Sequence, residues 1–470
     1  MVRLRKRWLR WGKVVALVGI TAVATWSGLK WSGVDYSPMA ANPSYQKFLQ
    51  TYTRLTESYY EKLNPNQLLE GAIGGMVHAV GDPFSQYMNP ALAARFRELV
   101  SSQFQGIGAV LSLQGGQLVI ASVLPGSPAS NAGLHKSDVL LAIGGSPTAT
   151  MSLEQAVKAI RGKVGTKVEL KLARGKSVLT ISVMRKKIVE PTVFAKVYPQ
   201  HIGYLLITQF SANTATAFLN DLERMKQEGV KGLVIDVRDD PGGYLQSVNQ
   251  IAGYLLPKNS VIAQIATRSG SRKMLWAKGD LLPVPKVCLI NGDTASAGEI
   301  LAAALAESGR VPLVGERTYG KGTVQETDQF ADGSSLKLTV ARWLTPNGTW
   351  IHRVGIAPSF RVPAPAYYHY AALPMSFKTP LKEGDNQVAI ALLQRILLAL
   401  HYNPGRTDGY FSPGTYAAVA AFQRTHNLSP TGEVDGNTAY VLNVALLLQR
   451  QKNDPQLLTA LGYLDRETVH

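Results

Sequence analysis

The chain has 470 residues, 46% of them hydrophobic, with 49 Lys and Arg against 32 Asp and Glu and a formal net charge of +17. That length allows three or four domains, and the apolar fraction supports real cores, so disorder throughout is excluded. The single cysteine, Cys288, excludes an intramolecular disulfide and a cysteine zinc site, and its place in the apolar run 284–290 predicts a small buried strand residue.

The excess charge is unevenly placed. Arg3, Arg5, Lys6, Arg7, Arg10 and Lys13 fall in the first thirteen residues without an acid, supplying 6 of the 17 units. Residues 14–29 then carry no charge, Trp26 lies near their outer end and Lys30 closes them. Basic residues ahead of an apolar stretch make a secretory signal or a membrane anchor, because positive charge stays cytoplasmic while the apolar part inserts. Residues 1–35 are therefore expected to be a signal or transmembrane segment, and the rest of the chain to be extracytoplasmic. A retained anchor is favoured; cleavage near Ala22-Val23-Ala24 is the alternative and would give a secreted protein. Beyond residue 30 the basic residues are dispersed, which argues against nucleic-acid binding, since that needs a basic face with interleaved aromatics.

Apolar residues at helical spacing over 45–80, interrupted by Asn64-Pro65, predict two or three amphipathic helices in an N-terminal helical region, 40–100. From 101 to 188 the pattern changes to short glycine-punctuated β runs at 107–113, 118–123, 139–143, 168–172 and 178–183, with helical spacing at 153–160. Block 189–362 alternates apolar strands (233–237, 287–290, 313–314) with helices (214–228, 244–255, 297–307), which argues a mainly parallel α/β core. A Pro- and Tyr-rich stretch, 363–380, reads as a linker. The tail, 381–450, is helical. The fold class is thus multidomain α/β: a membrane helix, a helical region, a small β domain, an α/β core and a small helical domain.

Within the β block, Gly106-Ile107-Gly108-Ala109 resembles the carboxylate-binding loop of a PDZ domain, and the string from Val123-Leu124-Pro125-Gly126-Ser127-Pro128 to Asp138-Val139-Leu140 matches bacterial PDZ domains. Glycines let backbone N–H groups converge on a chain-terminal carboxylate while the peptide adds as a strand. The resemblance implies capture of protein C-terminal tails. Arg161 sits where a cation could sense a bound peptide, although a solvated surface arginine is the blander reading.

In the α/β block, Asn291-Gly292-Asp293-Thr294-Ala295-Ser296-Ala297-Gly298-Glu299 joins a strand to a helix. A serine at such a turn stands at a helix N-terminus, whose unsatisfied N–H groups can stabilise an oxyanion; an ordinary N-cap is the alternative. A serine hydroxyl needs a base to attack an amide. Lys321, in Gly320-Lys321-Gly322, has its nearest sequence acids, Glu316 and Glu326, five positions away, and burial would favour its neutral form. Gln325 could orient the amine by accepting a hydrogen bond without restoring the charge.

Together these segments resemble the tail-specific or C-terminal processing peptidases, serine proteases with a Ser-Lys pair. Asp236-Val237-Arg238-Asp239-Asp240-Pro241-Gly242-Gly243 resembles that family's Asp-Leu-Arg-x-Asn-Pro-Gly-Gly, with Asp240 at the usual Asn, a difference of little expected consequence because the glycines supply the amides. The resemblance covers about 45–362 and implies a core of the ClpP/crotonase-like kind. It makes Ser296 the nucleophile, Lys321 the general base and Gln325 its positioner. Backbone N–H groups of Ala297 and of Gly242 or Gly243 would form the oxyanion hole, and Asp236 and Arg238 would be structural. No H-E-x-x-H metalloprotease string or Walker A loop occurs, so neither metal nor nucleotide cofactors are called for.

The tail resembles the small helical peptidoglycan-binding domain of cell-wall enzymes, carried by Leu381-Lys382-Glu383-Gly384-Asp385, Asp408-Gly409-Tyr410-Phe411 and Phe422-Gln423. Peptidoglycan is the implied partner, and protein docking is the alternative. The resemblance also implies a homodimer through the N-terminal helical region and the segment after Pro358. A non-catalytic PDZ and wall-binding scaffold is the competing reading, disfavoured by the complete Ser, Lys and Gln set.

Overall fold

The structure, a computed structural model, describes residues 42–114, 116–374 and 379–468. The expected anchor, 1–35, lies outside the described residues, and no described helix is long and apolar enough to cross a membrane.

The described chain divides into two compact units. In the smaller, helices Pro43–Ser58 and Pro65–His78 are each N-capped by an asparagine followed by proline, Asn42 and Asn64. That pairing satisfies orphan N–H groups and presets the first helical φ. A short strand, Gln86–Met88, pairs antiparallel with 335–337. The longer helix buries none of its residues and leaves Tyr45, Phe48, Leu49 and Leu55 exposed.

The larger unit holds three cores. The β block forms a sheet in the order Ala109–Gln114, Gln117–Val123, Val139–Ile143, Lys167–Arg174, Ser177–Met184, with the helix Leu153–Ile160 packed against it. Alternating apolar residues of Lys167–Arg174 point inward (Val168, Leu170, Leu172), the period-2 pattern of a half-buried strand. Ala109–Gln114 is an edge strand, so one row of its backbone groups is open to pairing.

The central sheet runs Val193–Tyr198, Ile202–Ile207, Gly232–Asp236, Lys286–Ile290, Leu313–Gly315, Phe360–Arg361. Its first pair is antiparallel and the rest are parallel. Gly232–Asp236 and Lys286–Ile290 are buried along their whole length, as expected of strands covered on both faces. One face is covered by helices Thr214–Gln227, Leu245–Gly253 and Ala297–Glu307. The other is covered by the last helix, Pro455–Thr468, whose Ala460 and Leu464 pack on Ile202, Val234, Val287, Leu289 and Val314. Cys288 is a fully buried strand residue, and burial pushes its thiol pKa up.

A sheet built from Val261–Thr267, Arg272–Trp276, Thr323–Gln329 and the strand ending at Leu344 was not expected from periodicity; Arg272–Trp276 and Thr323–Gln329 are polar and largely exposed. Helices Val388–Ala399, Pro413–Thr425 and Gly436–Lys452 enclose a third core around Leu393, Phe411, Val419, Phe422 and Leu442. The stretch read as a linker is partly built into it: Leu373 is buried there, its N–H donates to Asn443, and Arg450 donates to the carbonyls of Tyr367 and Tyr370.

Candidate active site

Three loops at the C-terminal ends of the central strands converge on Ser296. The first, 236–243, leaves the buried strand Gly232–Asp236. Asp236 accepts from Arg238 N, Nε and Nη2 and from Tyr204 Oη, which folds the chain back on itself at once. Burial and this hydrogen bond push the Tyr204 hydroxyl pKa up, so it donates. Arg238 reaches on to Asp454 and Gln456, tying the loop to the start of the last helix. These contacts fix the base of the loop, and none of them reaches Gly242 or Gly243.

The second loop, 291–296, is zipped to the first. Asp239 N and Asn291 Nδ2 donate reciprocally across the gap, Thr294 Oγ1 donates to Val237 O, and Ala295 N donates to Asp240 O. The chain then enters the helix Ala297–Glu307 through Ser296, half-buried at φ +53, ψ −111. A positive φ on a β-carbon residue stores strain, of order 1–3 kcal/mol, that the surrounding bonds must hold. Gly242 fits under this turn only because it lacks a side chain: an added Cβ would lie 2.7 Å from Ser296 Cβ and 3.0 Å from Ala297 N.

The third loop, 315–322, carries Lys321. Its flanking glycines press on the 350–355 segment, where a Cβ on Gly320 or Gly322 would come within 2.9 Å of backbone nitrogens. Trp343, fully buried, donates its indole N–H to Lys321 O at 2.8 Å, and Trp350 does the same to Gly322 O. Gln325, on the following strand, donates through Nε2 to Thr323 and Thr339 hydroxyls, leaving Oε1 as its acceptor.

What joins the second and third loops is Glu299, which the sequence reading did not single out. It is fully buried, and four donors converge on it: Thr318 Oγ1 and Gly320 N on Oε1, at 2.6 and 2.7 Å, and Lys321 N and Ser296 N on Oε2, at 2.8 and 2.9 Å. The backbones of Ser296 and Lys321 therefore meet through one oxygen atom. The signal was present as Ser296-x-x-Glu299, the spacing at which an N3 carboxylate reaches back to the N-cap N–H. Sequence could show that half of the clamp; the reach to residue 321 is tertiary.

The N–H of Ala297, at the first helical position, has no intrahelical acceptor. Of the two glycines expected to offer an amide, Gly242 has its N–H occupied by Asp240 Oδ1 at 2.7 Å. That leaves Gly243, whose φ of +150 and close approach to Phe210 O exclude any side chain. Asp240, at the usual Asn, is fully buried, and its Oδ2 has no hydrogen-bond partner.

With this geometry in hand, similarity to known proteins can be placed. Residues 201–362, which span all three loops, match peptidase family S41. The chain is 40% identical over 426 residues to the carboxy-terminal processing protease CtpB of Bacillus subtilis (strain 168), covering 89% of this chain and 88% of that protein. It is 36% identical over 434 residues to CtpA of the same organism, covering 92% of each. The chain belongs to the carboxy-terminal processing proteases of peptidase family S41. It is a serine peptidase. Residues 99–173 match the PDZ domain, 386–442 a peptidoglycan binding domain and 22–91 the activating protease CtpB N-terminal domain.

In this C-terminal processing protease the PDZ loop 106–109 turns at Gly108, where φ is +79 and a Cβ would overlap Ser127 Cβ. Ile107 anchors the loop in the PDZ core. The loop leads into the open edge strand Ala109–Gln114 beside the helix Leu153–Ile160, the groove geometry that lets a peptide add as a strand. Arg161 caps that helix but is not a free surface cation: it bonds Glu98 at 2.7 Å and lies 5.0 Å over the Phe104 ring. No group of His, Cys, Asp and Glu able to hold a metal occurs among the described residues.

Proposed function

We propose that this serine peptidase is an extracytoplasmic endopeptidase in which the PDZ groove captures the C-terminal tail of an unfolded protein and Ser296 cuts the chain. Glu299 Oε2, shared by the N–H groups of Ser296 and Lys321, is the observation that carries the reading. In it, neutral Lys321 Nζ takes the Ser296 hydroxyl proton as Oγ attacks the scissile carbonyl. The ammonium then gives that proton to the leaving amine, and water hydrolyses the acyl-enzyme by the same base. Gln325 Oε1 positions the lysine. Ala297 N–H and Gly243 N–H face the oxyanion.

The basic and apolar N-terminus supports a membrane anchor, the helical domain supports attachment to peptidoglycan, and the exposed apolar side of Pro43–Ser58 supports a homodimer. Ser296→Ala and Lys321→Ala should each abolish cleavage of an unstructured protein while circular dichroism shows a retained fold. Undiminished activity in either variant sinks the mechanism.

A further inference from the structure

Asp240 stands at the position that carries asparagine in the pattern this chain resembles. Its surroundings disfavour an ionised carboxylate. Oδ1 accepts the Gly242 N–H, as an amide oxygen would, while Oδ2 is buried without a partner. The charged groups on the elements around it are all engaged elsewhere or of the wrong sign. On its own loop Arg238 is held by Asp236 and Asp454, and Asp239 is bonded to Asn291. On the adjoining turn Asp293 is exposed, and on the helix Ala297–Glu307 the oxygens of Glu299 carry four donors. The helix Leu245–Gly253 has no charged residue. From the third loop comes Lys321, and Asp240 Oδ2 accepts from no side chain. A carboxylate here would be an unpaired buried charge, which proteins avoid by neutralising the group.

We propose that Asp240 is a positioning residue that works as a neutral carboxylic acid holding the Gly242–Gly243 turn, and that losing its proton as pH rises switches the peptidase off. The inference rests on the assignment of Ser296 as nucleophile. Protonated, Asp240 fixes Gly242 against Ser296 Cβ and leaves the Gly243 N–H for the oxyanion, as an asparagine would. Ionised, it sets a negative charge one residue from the amide that must stabilise a developing negative charge, and like charges there oppose the transition state. Burial drives the carboxyl well above the ordinary aspartate range, with the Gly242 N–H pulling weakly the other way. Activity falls as pH rises through the Asp240 titration, whereas an asparagine variant keeps its activity there.

The test is the pH profile of kcat/KM on an unstructured protein for the full chain and for Asp240→Asn, with the fold checked by circular dichroism at each pH. The wild type should lose about tenfold per pH unit on the alkaline side, while Asp240→Asn stays flat there with an unchanged acid limb. Superimposable alkaline limbs overturn the proposal. A second readout needs no variant: the carboxyl resonances of ¹³C-labelled aspartate in the wild type, followed across pH, should include one acid that titrates well above the ordinary aspartate range. A spectrum in which every aspartate titrates in the ordinary range overturns it too. If Ser296→Ala still cleaves, the nucleophile assignment fails instead, and the carboxyl spectrum still decides the state of Asp240.

Discussion

The helical domain and the loops around Ser296 differ in how completely they satisfy buried polar groups: in the loops Glu299 is saturated but Asp240 Oδ2 is not. In the helical domain Gln394 and Gln423 are almost wholly buried, and each is saturated. Gln394 donates to Tyr410 O and Thr415 Oγ1 and accepts from Gly409 N; Gln423 donates to Glu433 O, Thr431 and Thr438 and accepts from Gly432 N. Among the described residues, the buried side-chain atoms left without a partner are Asp240 Oδ2, in the loop after Gly232–Asp236, and Ser247 Oγ and Asn249 Oδ1, on the helix Leu245–Gly253. A module that presents a surface can satisfy every buried group. A loop shaped to receive a transition state keeps strained turns and unpaired atoms, and the rigid sheet beneath it holds them in place.

The contrast can be broken hardest at Gly242. Gly242→Ala should cut kcat by about 10³-fold or more, about 4 kcal/mol, because its Cβ displaces Ser296 and the adjoining amide. Steady-state kinetics would measure this, and a change under tenfold would mean the turn has slack. Arg238 joins the glycine loop to Asp454, which lies between the helical domain and the last helix. Arg238→Ala leaves two buried carboxylates without their cation and should destabilise the fold by about 3 kcal/mol in urea unfolding. Gln423→Ala should cost about 2 kcal/mol by orphaning the Gly432 N–H and the Glu433 carbonyl, with cleavage of a short peptide unchanged. Lost peptide cleavage there would show that the two regions are coupled. Arg161→Ala removes a half-exposed ion pair and should shift stability by less than about 1 kcal/mol. In the PDZ groove, a peptide with a free C-terminus should bind more tightly than its amidated copy; equal binding in titration calorimetry would contradict carboxylate capture.

Much of this architecture was legible beforehand because its elements obey local rules. Helices 153–160 and 297–307 and strand 139–143 appear with the expected bounds, each a clear apolar period closed by a cap or a glycine. Other features were illegible for physical reasons. The strand Thr323–Gln329 that bears Gln325 is polar and largely exposed, so its residues show no burial signature. The helix Pro455–Thr468 resembles any surface helix until a bare sheet face is there to cover. Asp240 looked like a near-synonym of asparagine because sequence does not report whether an oxygen finds a partner.

Residue type and spacing determined by themselves that this chain holds a serine at a strand-to-helix turn, a lysine between glycines, a glycine-punctuated β domain and a helical module, since glycine, charge and period act locally. Tertiary structure alone decided that Glu299 draws Ser296 and Lys321 onto one oxygen, that Gly243 keeps its amide while Gly242 does not, and that Asp240 is sealed from water. Those are matters of desolvation and of distances between residues far apart in the chain, which no local pattern encodes.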